Sequence, residues 1–464
     1  SQWGSSMDHC WSFDLISNYY AGELKIKDHL TAYDLQSLIY SSTFEVIEQK
    51  IIRSLVGNIL AGDGAGFEAV RDQIAQRRDE YWAKMETKPY GQIYEALSMA
   101  VSLFDLRRKY SEGLSYPDAR SMHEAYTKEL FLFDQYYRKY HQSADAVEAS
   151  GIDILKPLDS AVEACYTEWF MSQISLAWGN FMEHGLLEEL HTLPGVRQYQ
   201  FYSTKVKPYL AKQDKNRIFV IISDAFRYEA AEELTRLING QYRFSAELET
   251  IVSALPSYTA LGMAALLPHK IISFGDKGEI IVDGKLVDTI EKRSQILSQY
   301  EGVAIKSADL MAMSKEEGRT FIKDKRIVYV YHNEIDALGD SAATETKTFD
   351  AVGRTITDLN SVCRYIINSL NGNKIMITAD HGFVYCEKIP GYLDKSPLEN
   401  KPSNALIAKK RYILGPNLGT VASVWKGNTR DTAKTETDMD FWVPKGMNRF
   451  HFAGGARYFH GGAT

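Results

Sequence analysis

The feature that most constrains the fold of this chain is a short apolar run that ends in a carboxylate and an imidazole. Residues 374–383 have the sequence KIMITADHGF, and a short apolar run between polar and turn residues is typical of a buried central strand. In open α/β sheets the chemistry lies just outside the carboxyl ends of the strands. Asp380 and His381 are therefore candidate metal ligands. The alternative is an ordinary strand end with a capping Asp and a surface His.

Two earlier runs of the same kind predict a mainly parallel sheet. Arg217–Ser223 (RIFVIIS) is followed directly by Asp224, and Arg326–Tyr331 (RIVYVY) is followed by HNEIDALGD. Helical patterns separate these runs, and such alternation is typical of parallel strands joined by crossover helices. Acidic and imidazole side chains follow the predicted strand ends, and one more lies near the end of the sequence. They are Asp224, His332, Asp336, Asp340, Asp380, His381 and His460.

Thr259 lies apart from the strands, at the predicted start of a helix. The segment ALPSYTALGMAALL turns at Pro256 and becomes helix-forming near Thr259. Free backbone N–H groups and the dipole at a helix start favour an anion. A hydroxyl there is well placed to attack phosphorus while the N–H groups hold the phosphoryl oxygens. The alternative is that Thr259 is only an N-cap, which is a common role for Thr.

Together these side chains predict a site for two divalent metal ions. Such ions lie roughly 3.5–4 Å apart and clamp the attacking and leaving oxygens of an in-line displacement, so that about seven O and N ligands are needed. The sequence supplies that number in the order expected for one sheet edge. It contains neither a GxxxxGK phosphate loop nor a GxSxG elbow. This argues against a P-loop nucleoside triphosphatase and against an α/β-hydrolase.

Composition and charge bound the number of domains and exclude further classes of protein. A chain of 464 residues is expected to hold about two to four domains. The net charge of −7, from 53 Lys and Arg against 60 Asp and Glu, excludes a generally basic nucleic-acid coat but not a local basic groove. Four cysteines without a CxxC pair favour reduced thiols in a cytoplasmic protein. The uncharged stretch Thr250–Pro268 contains Ser, Thr, Pro and Gly, so no membrane span is predicted.

The first part of the chain has a helical pattern. From about residue 30 to residue 192, apolar side chains recur at steps of three and four. The many aromatic residues favour the core of a helical bundle, with a docking surface for a partner as the alternative. Pro194 and Gly195 mark the change of pattern. The predicted domains are therefore a helical domain at residues 1–195 and a hydrolase-like domain at residues 196–464, whose C-terminal end we expect to be incomplete.

Five ordered motifs resemble the PglZ family of the alkaline phosphatase superfamily. They cover about residues 215–462 and are VIISDAFRYEAAEEL, ALPSYTALGMAALLPH, YVYHNEIDALGD, ITADHGFVY and ARYFHGG. The helical region before them is similar to the middle of the larger PglZ proteins of bacterial BREX phage-defence systems. The resemblance implies an α/β fold of the alkaline phosphatase type, with a mainly parallel sheet flanked by helices and preceded by an all-helical domain.

The resemblance also implies a role for each motif residue. Thr259 aligns with the nucleophile of the superfamily. The residues implied around the first metal ion are Asp224, Thr259, Asp380 and His381. Those implied around the second are Asp336, Asp340 and His460, with His332 as a less certain imidazole. Related phosphodiesterases have a histidine where this chain has Asp340, and a carboxylate there helps Mn²⁺ or Mg²⁺ to compete with Zn²⁺.

From these observations we predict a metal-dependent phosphohydrolase, with phosphodiesterase or nuclease activity favoured and two divalent ions, zinc first, as cofactors. Because the family resembles phage-defence factors, we expect nucleic acid or an oligonucleotide as substrate and other BREX-type proteins as partners. Arg227, Lys409 and Arg411 are the predicted contacts for substrate phosphate, although the run 409–411 also fits a solvated loop. The alternatives are a phosphomonoesterase, a sulfatase-like enzyme, which Thr259 argues against, and a non-catalytic scaffold subunit of a defence complex.

Overall fold

The structure, a computed structural model, describes residues 10–62, 66–241, 244–388, 401–452 and 455–462. The chain divides into two compact units. One comprises residues 1–113 and 132–170, and the other comprises residues 114–131 and 171–464. The domain boundary at residue 195 stays a prediction, because packing alone does not decide which part of the chain folds on its own.

Helices form the described chain up to residue 192, as the spacing of apolar residues predicts. Two π-helical turns lie among them, at Tyr126–Leu130 and Ala164–Phe170. The α-helices are α1 (Cys10–Glu23), α2 (Ile26–His29), α3 (Leu35–Leu38), α4 (Glu45–Ala61), α5 (Gly66–Arg78), α6 (Tyr81–Lys84), α7 (Tyr90–Lys109), α8 (Ala119–Ala125), α9 (Phe131–Ala149), α10 (Lys156–Glu163), α11 (Met171–Glu183) and α12 (Leu186–Glu189).

A buried ion pair joins helices of the first unit. Arg77 on α5 and Glu48 on α4 are both fully buried and in contact. The guanidinium also donates to the carbonyl oxygens of Ile39 and Ser41, at 2.9 and 3.1 Å. The hydroxyl of Tyr94 donates to the Glu48 carboxylate. Both charges therefore have the additional hydrogen bonds that a buried pair needs to offset its loss of water.

The second unit contains the strands. They are β1 (Val196–Arg197), β2 (Ile218–Ser223), β3 (Ile251–Val252), β4 (Ile272–Phe274), β5 (Ile280–Val282), β6 (Lys285–Leu286), β7 (Gly302–Lys306), β8 (Ile327–His332), β9 (Ile375–Thr378), β10 (Val384–Tyr385), β11 (Ile407–Ala408), β12 (Ile413–Gly415), β13 (Val424–Asn428), β14 (Asp440–Pro444) and β15 (Tyr458–Phe459). Its later helices are α13 (Lys207–Ala211), α14 (Tyr228–Gln241), α15 (Thr259–Ala265), α16 (Ile290–Ser298), α17 (Ser307–Ala312), α18 (Lys315–Phe321), α19 (Ile335–Gly339), α20 (Thr348–Asn368) and α21 (Thr429–Thr432).

A parallel sheet lies at the centre of this unit. Among the described residues its strand order is β7-β8-β2-β9, and every neighbouring pair is parallel. All residues of β2 and β8 are buried, which explains why both strands are nearly continuous apolar runs. In register, Ser223 lies opposite His332, and Ile222 lies opposite Thr378. The carboxyl ends of β2, β8 and β9 therefore meet at one edge, as the sequence predicts.

Smaller sheets surround this core. Strands β4, β5 and β6 form an antiparallel meander, and the antiparallel sheet β11-β12-β14-β13 lies later in the chain. The antiparallel pair β10 and β15 places Tyr385 opposite Tyr458. Because β10 follows His381 and β15 precedes His460, this pairing brings the two histidines to the same place. Their rings are stacked, with centroids 4.4 Å apart.

Candidate metal centre

Two groups of side chains at the carboxyl edge of the sheet are close enough to bind metal ions. Among the described residues, each group offers one ligand atom per residue, and these atoms all lie within 4.8 Å of one another. The inner cluster, which is fully buried, consists of Asp224, Asp380 and His381. The outer cluster consists of Asp336, His381 and His460. Because His381 belongs to both, ions in the two clusters would be close neighbours.

The inner cluster is built from the turns that follow β2 and β9. The Nε2 atom of His381 lies 3.2 Å from Oδ1 of Asp224 and 3.5 Å from Oδ2 of Asp380. The next residue after Asp224, Ala225, has a positive φ of 61°, which is unfavourable for a residue with a Cβ. In this conformation its N–H donates to Oδ1 of Asp380 at 3.2 Å. Backbone strain of this kind is concentrated at functional sites.

The donor atoms of the two clusters fit divalent cations. Within the described part of the chain, Oδ1 of Asp224, Oδ2 of Asp380 and Nδ1 of His460 are buried and make no hydrogen bond of acceptable geometry, and the two carboxylate oxygens lie near Nε2 of His381. A buried carboxylate oxygen without a partner is costly, because it has lost its water. Oxygen and imidazole nitrogen together suit Zn²⁺ or Mn²⁺. A cation would therefore satisfy atoms that have no hydrogen bond of acceptable geometry within the protein.

The charges of the protein's own side chains favour extra protons at this site. Burial raises the pKa of Asp380 to about 8. Burial acts to lower the pKa of His381, but the carboxylates of Asp380 and Asp224 outweigh it and raise that pKa to about 10. Burial and the charge of Asp224 raise the pKa of Asp336 to about 6. Too many acidic groups share a buried space, and protons or metal ions must neutralise them.

His460 has the opposite shift. Burial, then the neighbouring His381, then the positive charge of Lys409 lower the pKa of His460 to about 3. The imidazole is therefore neutral at physiological pH, which is the form that binds a metal ion.

Thr259 reaches the inner cluster from α15, which begins at this residue as predicted. Its Oγ1 lies 3.0 Å from Nε2 of His381. The N-cap position is taken by Tyr258, one residue earlier, whose side chain makes no capping hydrogen bond. The helix backbone passes close to the strand end at Gly262, where a Cβ would lie 2.2 Å from the carbonyl oxygen of Asp380. Glycine at this position thus sets how near Thr259 comes to the cluster.

Two other predicted ligands lie outside both clusters. Asp340 follows α19 and is exposed, and its N–H donates to the carbonyl oxygen of Asp336 at 2.9 Å. His332 is buried at the end of β8, where Nδ1 lies 3.2 Å from the Ser223 hydroxyl and Nε2 lies 3.8 Å from Asp358. Asp340 is thus linked to the outer cluster only by a backbone hydrogen bond to Asp336. The His332 side chain contacts Ser223 and Asp358, which are in neither cluster.

The predicted phosphate contacts differ in accessibility. The Arg227 guanidinium lies 4.4 Å above the ring of Phe383, and its Nη2 is 2.9 Å from Glu229. Lys409 is exposed, and its charge acts on His460. Arg411 is buried and donates to two backbone carbonyl groups, and burial lowers its pKa to about 10. A phosphate-binding role for Arg411 stays a prediction, and its burial does not support it.

The structure also adds residues that the sequence analysis missed. Gln198 donates to the carbonyl oxygen of Asp380 at 2.7 Å and accepts from the N–H of Ala254 at 3.1 Å. Tyr458 donates to Oδ1 of Asp336 at 2.9 Å. Tyr458 lies in the motif ARYFHGG, which is a signal that could have identified it. Gln198 lies 182 positions before its partner, and no local pattern marks it.

Comparison with known proteins identifies relatives of the whole chain. The family model described as the BREX system PglZ alkaline phosphatase-like domain matches residues 201–464. The alkaline phosphatase-like protein BrxZ of Escherichia coli O9:H4 (strain HS) is 40% identical over 464 residues, which cover 99% of this chain and 54% of that protein. The alkaline phosphatase-like protein PglZ of Bacillus cereus (strain H3081.97) is 31% identical over 455 residues, covering 97% and 52%. The chain thus spans about half the length of these relatives.

A solved structure, that of murine ectonucleotide pyrophosphatase / phosphodiesterase 5, is similar at 11% sequence identity. Its TM-score is 0.37, and the match covers 53% of this chain and 84% of that one.

Among the helices in the described ranges, none combines the length and the apolar character needed to cross a membrane.

Proposed function

The chain belongs to the PglZ family of alkaline phosphatase-like proteins, and on that premise we propose that it is a metal-dependent phosphohydrolase with phosphodiesters as its favoured substrates. The observation that carries this proposal is the position of Thr259, whose hydroxyl lies 3.0 Å from a histidine of the inner cluster. A hydroxyl beside a cluster of candidate metal ligands is an arrangement suited to covalent phosphoryl transfer.

The residues of the chain would divide the chemistry among them. The inner cluster and Thr259 would hold one divalent ion, and Asp336 and His460 would hold the other. Bound there, the ions would supply positive charge and lower the pKa of an attacking oxygen. Thr259 Oγ1 would form a bond to phosphorus while the first ester bond breaks and an alcohol leaves with a proton. Water would then attack the phosphorus, break the bond to Thr259 and release a phosphomonoester.

Two features of α15 would assist the attack by Thr259. The N–H groups in the first turn of a helix have no partner within the helix, and they would hold the phosphoryl oxygens. The contact with His381 fixes the hydroxyl at the edge of the inner cluster. The nucleophile is therefore oriented before the substrate arrives, which removes part of the entropic barrier.

We propose nucleic acid or an oligonucleotide as the substrate. An exposed cation, Lys409, lies near the outer cluster, and Arg227 lies near the turn that carries His381. The exposed charge of Lys409 suits a further phosphate group of an oligonucleotide, whereas the Arg227 side chain is 9% exposed and paired with Glu229, which does not support a phosphate contact. The proposed setting is bacterial phage defence in the cytoplasm, together with other BREX proteins, because the matching family model is named for that system.

Variants at Thr259 test the proposal. Thr259→Ala should keep bound metal through the inner cluster and lose at least about a thousandfold in turnover, because the covalent route is gone. Thr259→Ser should keep part of the activity, because the oxygen remains. The assays are hydrolysis of a chromogenic phosphodiester, a chromogenic phosphomonoester and single-stranded DNA, with metal content measured in each variant.

The outcomes separate the proposed function from its alternatives. An alanine variant that binds metal and cleaves at the wild-type rate would show that Thr259 is not the nucleophile. Hydrolysis of the monoester alone would make the protein a phosphomonoesterase. Wild-type protein that binds metal and cleaves none of the three substrates would favour the scaffold alternative.

A further inference from the structure

We propose that Tyr458 and Glu345 are positioning residues that align Asp336 and His460 for the metal ion of the outer cluster. The inference rests on the proposed function, because it assigns supporting residues to the same site. It comes from three contacts that tie the segment around β15 to the helix that carries Asp336.

The first contact is the hydrogen bond from Tyr458 to Asp336. The Tyr458 side chain is buried, and its hydroxyl donates to Oδ1 of Asp336 at 2.9 Å. The same oxygen, Oδ1, lies 3.9 Å from Nε2 of His460. A phenol donates one hydrogen bond and a carboxylate oxygen has two lone pairs, so Oδ1 is held in place and still has a lone pair for a cation. Groups that hold a metal ligand in this way commonly change metal affinity about 10–100-fold when they are removed.

The second contact fixes the ring of Tyr458. A Cβ built on Gly339 would lie 2.5 Å from the ring atom Cδ2, so the ring rests directly on the backbone of α19. The other neighbour is Phe383, whose ring is stacked on that of Tyr458 with centroids 5.1 Å apart. The ring therefore contacts the segment that carries Asp336 and also the segment that follows His381. This contact explains the glycine at position 339, because a side chain there would collide with the ring of Tyr458.

The third contact is made by Glu345, five residues after Asp340. Its carboxylate accepts the backbone N–H groups of Ala456 and Arg457, both at 3.0 Å, and that of Tyr458 at 3.4 Å. The Glu345 side chain is buried. A buried carboxylate bound to successive N–H groups is a strong, charge-assisted anchor. It holds the segment that leads to His460 against the part of the chain that follows Asp336.

The same pair of strands contains a matched control. Tyr385 on β10 lies opposite Tyr458 in the register and is also buried. Its hydroxyl donates to Glu387 at 2.6 Å, and Glu387 is in neither cluster. Removing either hydroxyl deletes a partly buried hydrogen bond made from the same pair of strands. Only the loss at Tyr458 changes a candidate metal ligand.

The test is an equilibrium titration of metal-free protein with Mn²⁺ and, separately, with Zn²⁺. The samples are wild-type protein, Tyr458→Phe and Tyr385→Phe, with circular dichroism to compare their folds. We expect wild-type protein to bind two ions and Tyr458→Phe to bind one of them about 10–100-fold more weakly. The other ion should bind Tyr458→Phe as it binds the wild type, and Tyr385→Phe should bind both ions normally.

The outcomes distinguish this inference from the proposed function. If wild-type protein and Tyr458→Phe bind two ions equally well, the inference is wrong and the proposed function stands. If wild-type protein binds no ion, both are wrong. Equal weakening of both ions in the two tyrosine variants would also overturn the inference, because it would indicate a general loss of stability.

Glu345→Gln tests the second positioning residue independently. Glutamine keeps the size of the side chain, but its NH₂ group faces N–H donors, so at least one of the three hydrogen bonds is lost. We expect faster hydrogen exchange at the amides of residues 456–458 and weaker binding of the same ion that Tyr458→Phe affects. Unchanged exchange together with unchanged affinity would contradict a role for Glu345.

Discussion

Replacing Gly262 with alanine should separate the helix that begins at Thr259 from the strand end that carries Asp380. The new Cβ would lie 2.2 Å from the carbonyl oxygen of Asp380, 2.8 Å from its carbonyl carbon and 3.0 Å from its Cα. All three are backbone atoms, which cannot rotate away as a flexible side chain would. Ordinary contacts begin at 3.4 Å, so the two segments must move apart by about 1.2 Å (3.4 minus 2.2).

This displacement should affect stability and catalysis to different degrees. Overpacking a buried contact costs typically about 1–3 kcal/mol of the free energy of unfolding. A misplacement of about 1 Å in a catalytic group costs on the order of a hundredfold in turnover. Because α15 is short, Thr259 should move with Gly262, and the 3.0 Å contact with His381 should be lost.

The assays are chemical denaturation, metal content and hydrolysis of a chromogenic phosphodiester. Gly240→Ala is the matched control, because this glycine lies on α14 with no atom within 4 Å of its Cβ position. That variant should be as active as the wild type and up to about 1 kcal/mol more stable. If Gly262→Ala unfolds at the same denaturant concentration as the wild type and keeps its turnover, the helix does not pack on Asp380 as described.

Two further predictions concern the charges of the protein. Mn²⁺ affinity should rise with pH from about 6 to about 10. The reason is that the pKa values of Asp336, Asp380 and His381 are raised, so metal binding must displace protons. Metal titrations at several pH values check this, and an affinity that does not change with pH would contradict it. Arg77→Leu should lower the free energy of unfolding by about 3–5 kcal/mol, because it leaves Glu48 buried without its partner. Urea denaturation measures this loss, with Arg77→Lys as a variant that should lose less.

The parts of the fold that the sequence predicts are those that local pattern determines. Strands β2 and β8 were predicted to within one residue at each end, and β9 lies inside the predicted stretch 374–383, because a buried parallel strand is a continuous apolar run with polar ends. Their carboxyl ends carry Asp224 and Asp380, so the sheet edge could be predicted with the strands. The α/β fold with a helical region before it is confirmed. The roles of the individual site residues stay predictions.

Other features depend on contacts between distant residues, which a local pattern does not contain. The short strand Ile251–Val252 pairs with Val196–Arg197 outside the central sheet, and the sequence analysis did not predict this pairing. The edge strand Gly302–Lys306 was missed, because it is short and only partly buried. Glu345 and its partners near residue 457 are more than 110 positions apart. The local sequence around either partner does not predict the contact.

The strand order has a consequence for how the protein is made. Strand β2 lies inside the central sheet, between β8 and β9, yet it is synthesised before both. Its last residue is 223 and β8 begins at residue 327, which is 104 residues later (327 minus 223). At about 5–20 residues per second, a ribosome needs roughly 5–20 s to cover that distance. Throughout that interval a strand with five apolar residues and one serine has both edges unpaired, so the nascent chain is open to aggregation unless a chaperone covers it.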